Sequence, residues 1–88
     1  MTADFGPRGP REELVFAGEN FRIEVQHMAY RLMREQGVSQ EDLARLLDVD
    51  VSKIKRFFSD DCKVPIRMIG RIFHALGQEV DISCRPTR

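Results

Sequence analysis

The stretch from Ser39 to Phe58, SQEDLARLLDVDVSKIKRFF, constrains the fold of this chain more than any other. Apolar residues recur in it at intervals of three and four, which predicts an amphipathic helix on each side of Asp48-Val49-Asp50. A turn this short between two helices fixes the angle at which they meet and leaves the second helix projecting. The chain therefore has to build its core around a close pair of short helices.

Polar residues at the start of both helices predict where each one begins. The Ser39 hydroxyl is placed to accept from the amide of Asp42, and Asp42 can reach back to the amide of Ser39, a variant of the capping box. Asp50 is predicted to cap the second helix in the same way. The apolar sides of the two helices consist of Leu43, Ala44, Leu46, Leu47, Ile54, Phe57 and Phe58.

A longer helix is predicted before this pair. Phe21, Val25, Met28 and Leu32 recur at helical spacing, with Ala29 and Met33 beside them. We expect this helix over Asn20–Gln36, with Gly37 as its left-handed C-terminal cap. Pro10 and the acids after it favour a helix that opens further upstream. The alternative for ELVFAGENFRIEV is a β-hairpin, because Phe21, Ile23 and Val25 also alternate.

The last part of the chain predicts a helix followed by a strand. Pro65 opens the helix, apolar residues from Ile66 to Leu76 form its buried face, and Gly77 closes it. Val80, Ile82 and Cys84 then alternate with polar residues, which is typical of a β-strand over 79–85. This strand has no obvious partner in the chain, so it needs another chain or the N-terminal segment to pair with.

The chain has 88 residues, which is enough for one domain. We expect a flexible arm at residues 1–10 and a single domain over 11–88. No apolar run approaches the roughly 20 residues that span a bilayer, so no membrane partner is expected. The N-terminal MTADFGPRGPREE lacks the apolar core of a signal peptide, which favours a cytoplasmic location.

Nothing in the sequence supports catalysis, a metal or a cofactor. Cys62 and Cys84 have no metal-binding spacing and are expected to be free thiols. His27 and His74 have no carboxylate pair or nucleophile motif beside them. We therefore expect a protein that is not an enzyme.

Charge is divided unequally between the two halves of the sequence. Residues 1–50 contain six Arg and ten Asp or Glu, a net charge of −4, whereas residues 51–88 contain eight Lys or Arg and four acids, a net charge of +4. A basic half of this kind can meet a polyanion even though the whole chain is neutral.

The helix pair resembles the helix-turn-helix of the lambda-repressor-like, or XRE, family of regulators. The resemblance covers about Asn20 to Val80, and it includes the entry Gly-Val-Ser-Gln at 37–40 and Ala-Leu-Gly at 75–77. A small residue is expected fifth from Gln40, where Ala44 stands. The positions for large apolar residues hold Leu43, Leu47, Val49, Ile54 and Phe57.

The resemblance implies a mainly α fold: a bundle of four to five helices containing the helix-turn-helix at 39–59, here with a short C-terminal β-strand. It also implies a transcriptional regulator, expected to be a repressor, that binds an operator in double-stranded DNA as a homodimer. Residues 51–59 would form the recognition helix in the major groove. Base contacts are then expected from Val51, Ser52 and Arg56, and phosphate contacts from Ser39, Gln40, Lys53, Lys55 and Lys63.

Two departures from the family pattern leave questions open. Asp48 stands where the family usually has a glycine, at a turn that tends to need a positive φ. Acids at positions 48, 50, 60 and 61 flank the basic helix, which favours the alternative function of a protein-interaction module, such as an antitoxin with a toxin partner. Dimerisation is expected either through the strand, with Val80, Ile82 and Cys84, or through packing of the first helix.

Overall fold

The computed structural model describes residues 9–86, with side chains from residue 11 onward. Within this range the chain is mainly helical and contains four helices: α1 (Gly9–Gln36), α2 (Gln40–Leu47), α3 (Val51–Phe57) and α4 (Ile66–Ala75). None of these helices is both long and apolar enough to cross a membrane.

Helix α1 spans 28 residues, so the hairpin alternative for its N-terminal half is wrong. The apolar residues continue at helical spacing well beyond Val25, and this periodicity outweighs the short alternation around Ile23. The helix begins at Gly9, so the last two residues of the expected arm are helical, while residues 1–8 lie outside the described part of the chain. It ends at Gly37 with φ of 68°, where the amide of Val38 donates to the carbonyl of Met33 at 2.9 Å. The predicted glycine cap is confirmed.

Both helix starts in the central pair are capped as predicted. The Ser39 hydroxyl accepts from the Asp42 amide and the Asp42 carboxylate accepts from the Ser39 amide, each at 3.0 Å. The hydrogen bonds from Ser39 lower the pKa of Asp42. At α3, the Asp50 carboxylate accepts from the Ser52 amide at 3.2 Å. The start of each of the two helices is thus fixed by polar contacts.

The core lies where α2, α3 and α4 meet the C-terminal half of α1. Ile54, Phe57 and Ile72 are completely buried, and Ala44 is almost so. The small side chain of Ala44 leaves room for the neighbouring helices, as its position predicted. The complete set of buried apolar residues is Ala29, Met33, Leu43, Ala44, Leu47, Ile54, Phe57, Met68, Ile72, Phe73 and Leu76.

Several apolar residues that were expected in the core are exposed. Leu46 and Ile66 lie on the outer surface of α2 and α4, and Phe21 and Met28 do so on α1. Helical periodicity in the sequence identifies all the apolar residues near one face of a helix. In the folded chain, only the part of that face against which another helix packs is buried. The small core of this chain cannot cover all of them.

The expected strand at 79–85 is not formed in the described part of the chain. Residues 78–86 have no regular secondary structure, and Val80, Ile82 and Cys84 are all exposed. A β-strand needs hydrogen bonds from a neighbouring strand, and residues 9–86 contain no strand with which it could pair. Gly77, with φ of 76°, ends α4 as predicted and directs the chain into this segment.

Candidate nucleic-acid interface

Helix α3 has one buried side and one basic side. Ile54 and Phe57 face the core, so the residues on the opposite side of the helix point outward. We call these residues, Ser52, Lys53, Lys55 and Arg56, the α3 basic face, and all four are exposed. Helix α3 itself contains no acid, and no carboxylate of the described residues forms an ion pair with a cation of this face.

Ser52 and Arg56 are four residues apart and therefore lie one above the other on this face. The Ser52 hydroxyl donates to the Asp50 carboxylate, in a short contact that accompanies the amide cap. These two hydrogen bonds, with the nearby charges of Lys53 and Lys55, lower the pKa of Asp50. While this bond persists, the Ser52 oxygen is free only to accept a hydrogen bond.

Val51 is placed differently from the other two residues expected to contact bases. It is half-buried and packs against the core at the start of α3. Only part of its side chain is left to meet a thymine methyl group. Of the three residues predicted to read bases, Ser52 and Arg56 thus have their side chains exposed, and Val51 has a second role in packing.

The turn before α3 is built without a glycine. Asp48 adopts φ of 58° and ψ of 48°, in the left-handed region, and its amide donates to the carbonyl of Arg45. The amide of Val49 donates to the carbonyl of Ala44 at 3.0 Å. The positive φ that the position requires is therefore supplied by an aspartate, a residue type that tolerates this region better than most.

Two further side chains that the sequence did not single out hold the C-terminal end of α3. The Gln26 amide donates to the carbonyls of Phe57 at 2.8 Å and Ser59 at 2.9 Å, and Arg22 also donates to Ser59. Carbonyls at the end of a helix have no partner within the helix, so these donors tie α3 to α1. In the sequence, Arg22 and Gln26 are four residues apart and lie on the side of α1 that is buried further along the helix. That position is the signal from which their role could have been predicted.

Helices α2 and α4 are held in a similar way. Arg71 donates to the carbonyl of Leu47 at 3.0 Å, at the end of α2, and Gln36 donates to the carbonyl of Leu76 at 2.7 Å. The Arg71 guanidinium thus closes the C-terminal end of α2. The first of these hydrogen bonds ties α2 to α4, and the second ties α4 to α1.

The residues predicted to meet phosphates lie in different surroundings. Lys53 and Lys55 belong to the α3 basic face. Gln40 is half-buried at the start of α2, in a shallow crevice beside Tyr30 and Arg34. Ser39 is engaged in the capping box with Asp42, whose carboxylate is in turn paired with Arg45.

The loop after α3 combines acids and a base. Lys63 lies 3.8 Å from the carboxylate of Asp61, and both side chains are exposed. An exposed pair of this kind contributes little energy, so Lys63 can exchange its partner for a phosphate at small cost. Asp60 is also exposed in this loop, so negative charge does flank the C-terminal end of the α3 basic face.

Comparisons with known proteins yield no relative for this chain: no protein-family model, no curated protein and no solved structure matches it.

Proposed function

We propose that this protein is a sequence-specific double-stranded DNA-binding regulator, a repressor, whose helix-turn-helix of α2 and α3 inserts α3 into the major groove. The observation that carries the proposal is the α3 basic face, which is exposed along the whole helix and is interrupted by no acid. Because α3 is tied at both ends to α1 and α2, it can present this face without ordering a flexible segment on binding.

Each residue of the face has a role that follows from its surroundings. Arg56 is exposed and can donate two parallel hydrogen bonds to guanine O6 and N7. Ser52 donates to Asp50 and accepts from the base, which favours the amino group of adenine or cytosine as its partner. Lys53 and Lys55 contact phosphates, which position the helix without reading sequence.

The test is selection of binding sites from a pool of random DNA duplexes, followed by gel shift of the enriched sequence at low salt. We expect one sequence family to be enriched. Arg56→Ala should lose discrimination at one base position, by about 1–3 kcal/mol, whereas Lys55→Ala should weaken all sequences alike and lower the salt dependence. Arg31→Ala removes the same charge from an exposed position on α1 and serves as the control. Absence of any retardation at low salt would overturn the proposal.

Binding to an operator with two half-sites requires two copies, with recognition helices about 34 Å apart. The two copies meet through one of two contacts: strand pairing of residues 79–85 of the tails, through Val80, Ile82 and Cys84, or packing of their first helices. The tail is exposed and carries the alternating pattern of a strand, which supports this pairing. Sedimentation of the full chain and of a chain ending at Gly77 tests it, since equal association of the two would exclude the tail as a dimer contact.

The acids around the α3 basic face support a second candidate function, a module that binds a protein such as a toxin. Asp48, Asp50, Asp60 and Asp61 are all exposed, and they repel phosphate if they point toward the DNA. In that case the random-duplex selection yields no enriched sequence. The same acids would then form the contact with a basic protein partner.

A further inference from the structure

The N-terminal half of α1 projects from the rest of the molecule. Every side chain from residue 11 to residue 21 is exposed, and Arg22 is the first that contacts another helix or loop. Only the C-terminal half of the helix contributes residues to the core, namely Ala29 and Met33. More than one third of α1 therefore packs against no other element within residues 9–86.

This projecting half carries large apolar side chains. Leu14 is 73% exposed, Phe16 62% and Phe21 68%, and Val15 is exposed between them. Aromatic side chains exposed to this degree each leave on the order of 100 Å² uncovered. Leu14 and Phe21 lie on the same side of α1 and form an exposed apolar surface that continues toward Met28, whereas Val15 and Phe16 lie on other sides of the helix. A contiguous exposed apolar surface indicates an interaction site.

The apolar residues follow the repeat of a helix–helix contact. Leu14, Phe21 and Met28 are spaced by seven, and Gly18, Val25 and Leu32 lie between and after them at alternating intervals of four and three. This is the pattern by which one helix packs along another over nearly three heptads. We call this line of residues from 14 to 32 the α1 seam, and it is about 28 Å long. In its C-terminal half Val25 and Leu32 are half-buried against the core of the same chain, while Met28 is exposed.

A helical segment of this length is marginal when nothing packs on it. Isolated helices shorter than about 12–15 residues are barely stable in water, and Gly18 in the middle lowers helix propensity further. A partner that covers the α1 seam would remove both problems, because it would bury the apolar side chains and stabilise the helix.

Charge along α1 points to a second copy in the opposite direction. Residues 11–24 contain four Glu and two Arg, whereas residues 25–36 contain two Arg and one Glu. Antiparallel pairing places the acidic half of each helix beside the basic half of the other. Parallel pairing would place halves of the same charge beside each other. Antiparallel pairing also lays each projecting half beside the C-terminal half of its partner's α1, where Met28 is the exposed residue of the seam.

We propose that two copies of this chain associate through an antiparallel pair of α1 seams. The contact is isologous, with the two-fold axis crossing α1 near the middle of the seam. This inference goes beyond the proposed function, because it concerns a surface remote from the α3 basic face and can be measured without DNA.

Sedimentation equilibrium of the full chain tests the contact. We expect a dimer for the unmodified chain and for Ile66→Glu, whose parent residue is 81% exposed on α4 and lies off the seam. Phe21→Glu should weaken dimerisation at least tenfold while the core still unfolds cooperatively by circular dichroism, because Phe21 contributes nothing to the core. A monomeric full chain, or a Phe21→Glu variant that dimerises as well as Ile66→Glu, would overturn the proposal.

The orientation is tested by crosslinking with a short bismaleimide in a background without Cys62 and Cys84. A mixture of Leu14→Cys and Met28→Cys chains should crosslink to each other, and neither variant should crosslink efficiently alone. Efficient crosslinking of Leu14→Cys to itself would indicate a parallel pair and would exclude the antiparallel one.

The result of the α1 seam experiments does not depend on whether the protein binds DNA or a protein partner. A chain that ends at Gly77 keeps the α1 seam and should still dimerise, and its loss of dimerisation would assign the contact to the tail instead. If the DNA proposal fails, the seam variants still report on pairing. If the seam fails, Arg56→Ala still reports on DNA binding.

Discussion

At the scale of single residues, the turn between α2 and α3 contains an aspartate, Asp48, at a backbone conformation that a glycine adopts more easily. Asp48 occupies the left-handed region, where a Cβ is disfavoured, and it places a negative charge at the negative end of α2. Arg71 donates to the last carbonyl of α2, and its positive charge partly offsets the negative charge of Asp48 there. The residue is therefore tolerated but not optimal for stability.

We expect Asp48→Gly to stabilise the protein by about 0.5–1 kcal/mol, because glycine adopts this conformation without steric cost and removes the unfavourable charge. Urea denaturation measures the change. Asp48→Asn separates the two causes, since it removes the charge but keeps the Cβ. Asp48→Val should destabilise, because a β-branched residue is strongly disfavoured at positive φ. A loss of stability in Asp48→Gly would show that the aspartate makes a favourable contact here.

The two capping aspartates predict how stability depends on pH. Hydrogen bonds lower the pKa of both Asp42 and Asp50 in the folded protein, so each contributes stability above its unfolded pKa, about 3.9. That contribution is lost as the pH falls through the lower folded values. Thermal unfolding between pH 7 and pH 2 should therefore show a smaller loss of stability at low pH for Asp42→Asn than for the unmodified chain. Glu41→Gln, which removes a neighbouring exposed acid, is the control.

At the scale of elements, α3 is a short helix held mainly by its neighbours. With 7 residues it is too short to be stable alone, so its position depends on Ile54 and Phe57 in the core and on Gln26 at its C-terminal end. The same helix carries the α3 basic face. Whatever loosens its end should thus affect both stability and the orientation of that face.

Gln26→Leu should destabilise the protein by about 1–3 kcal/mol, because it removes the side-chain donor to the part-buried carbonyl of Phe57 and leaves that of Ser59 with Arg22 alone. His27→Leu places the same side chain one residue further along α1, in an exposed position, and should change stability by about 0.5 kcal/mol or less. Chemical denaturation of the two variants decides between a local effect of the hydrogen bonds and a general effect of leucine on α1.

At the scale of the whole molecule, one long helix and a small core give an elongated shape of 49 × 24 × 21 Å. Helix α1 alone is about 42 Å long and accounts for most of the greatest dimension. The core lies at one end of α1, so the other end adds length without adding burial within the single chain. Stability of the monomer and association of two copies should therefore be separable properties.

Removal of residues 1–20 should leave the unfolding free energy of the monomer within about 0.5 kcal/mol of its original value at concentrations where no dimer forms. The side chains from 11 to 20 are exposed, and Glu19 forms an ion pair with Arg22 on the same helix rather than with the core. Fluorescence-monitored or circular dichroism urea titrations at low and high protein concentration measure both properties. A large loss of stability in the dilute truncated chain would show that the N-terminal half of α1 supports the core.

Local rules of sequence determined much of this structure. The capping box at Ser39, the cap by Asp50 and the glycine ends at Gly37 and Gly77 all follow from short-range geometry, and each was predictable from residue type and spacing. The outward side of α3 was predictable for the same reason, because helical periodicity places its Lys and Arg opposite Ile54. These features involve residues within about one helical turn of each other.

Only the tertiary structure decided which apolar residues are buried and which polar residues hold the helix ends. Periodicity marks Phe21, Leu46 and Ile66 as apolar-face residues, but burial depends on whether another helix lies over them, and none of the described helices does. Gln26 and Arg71 bond to carbonyls that are 31 and 24 residues away in the sequence. The tail at 79–85 has the alternation of a strand yet forms none within the described residues, because a strand is stabilised by pairing and this part of the chain offers no edge.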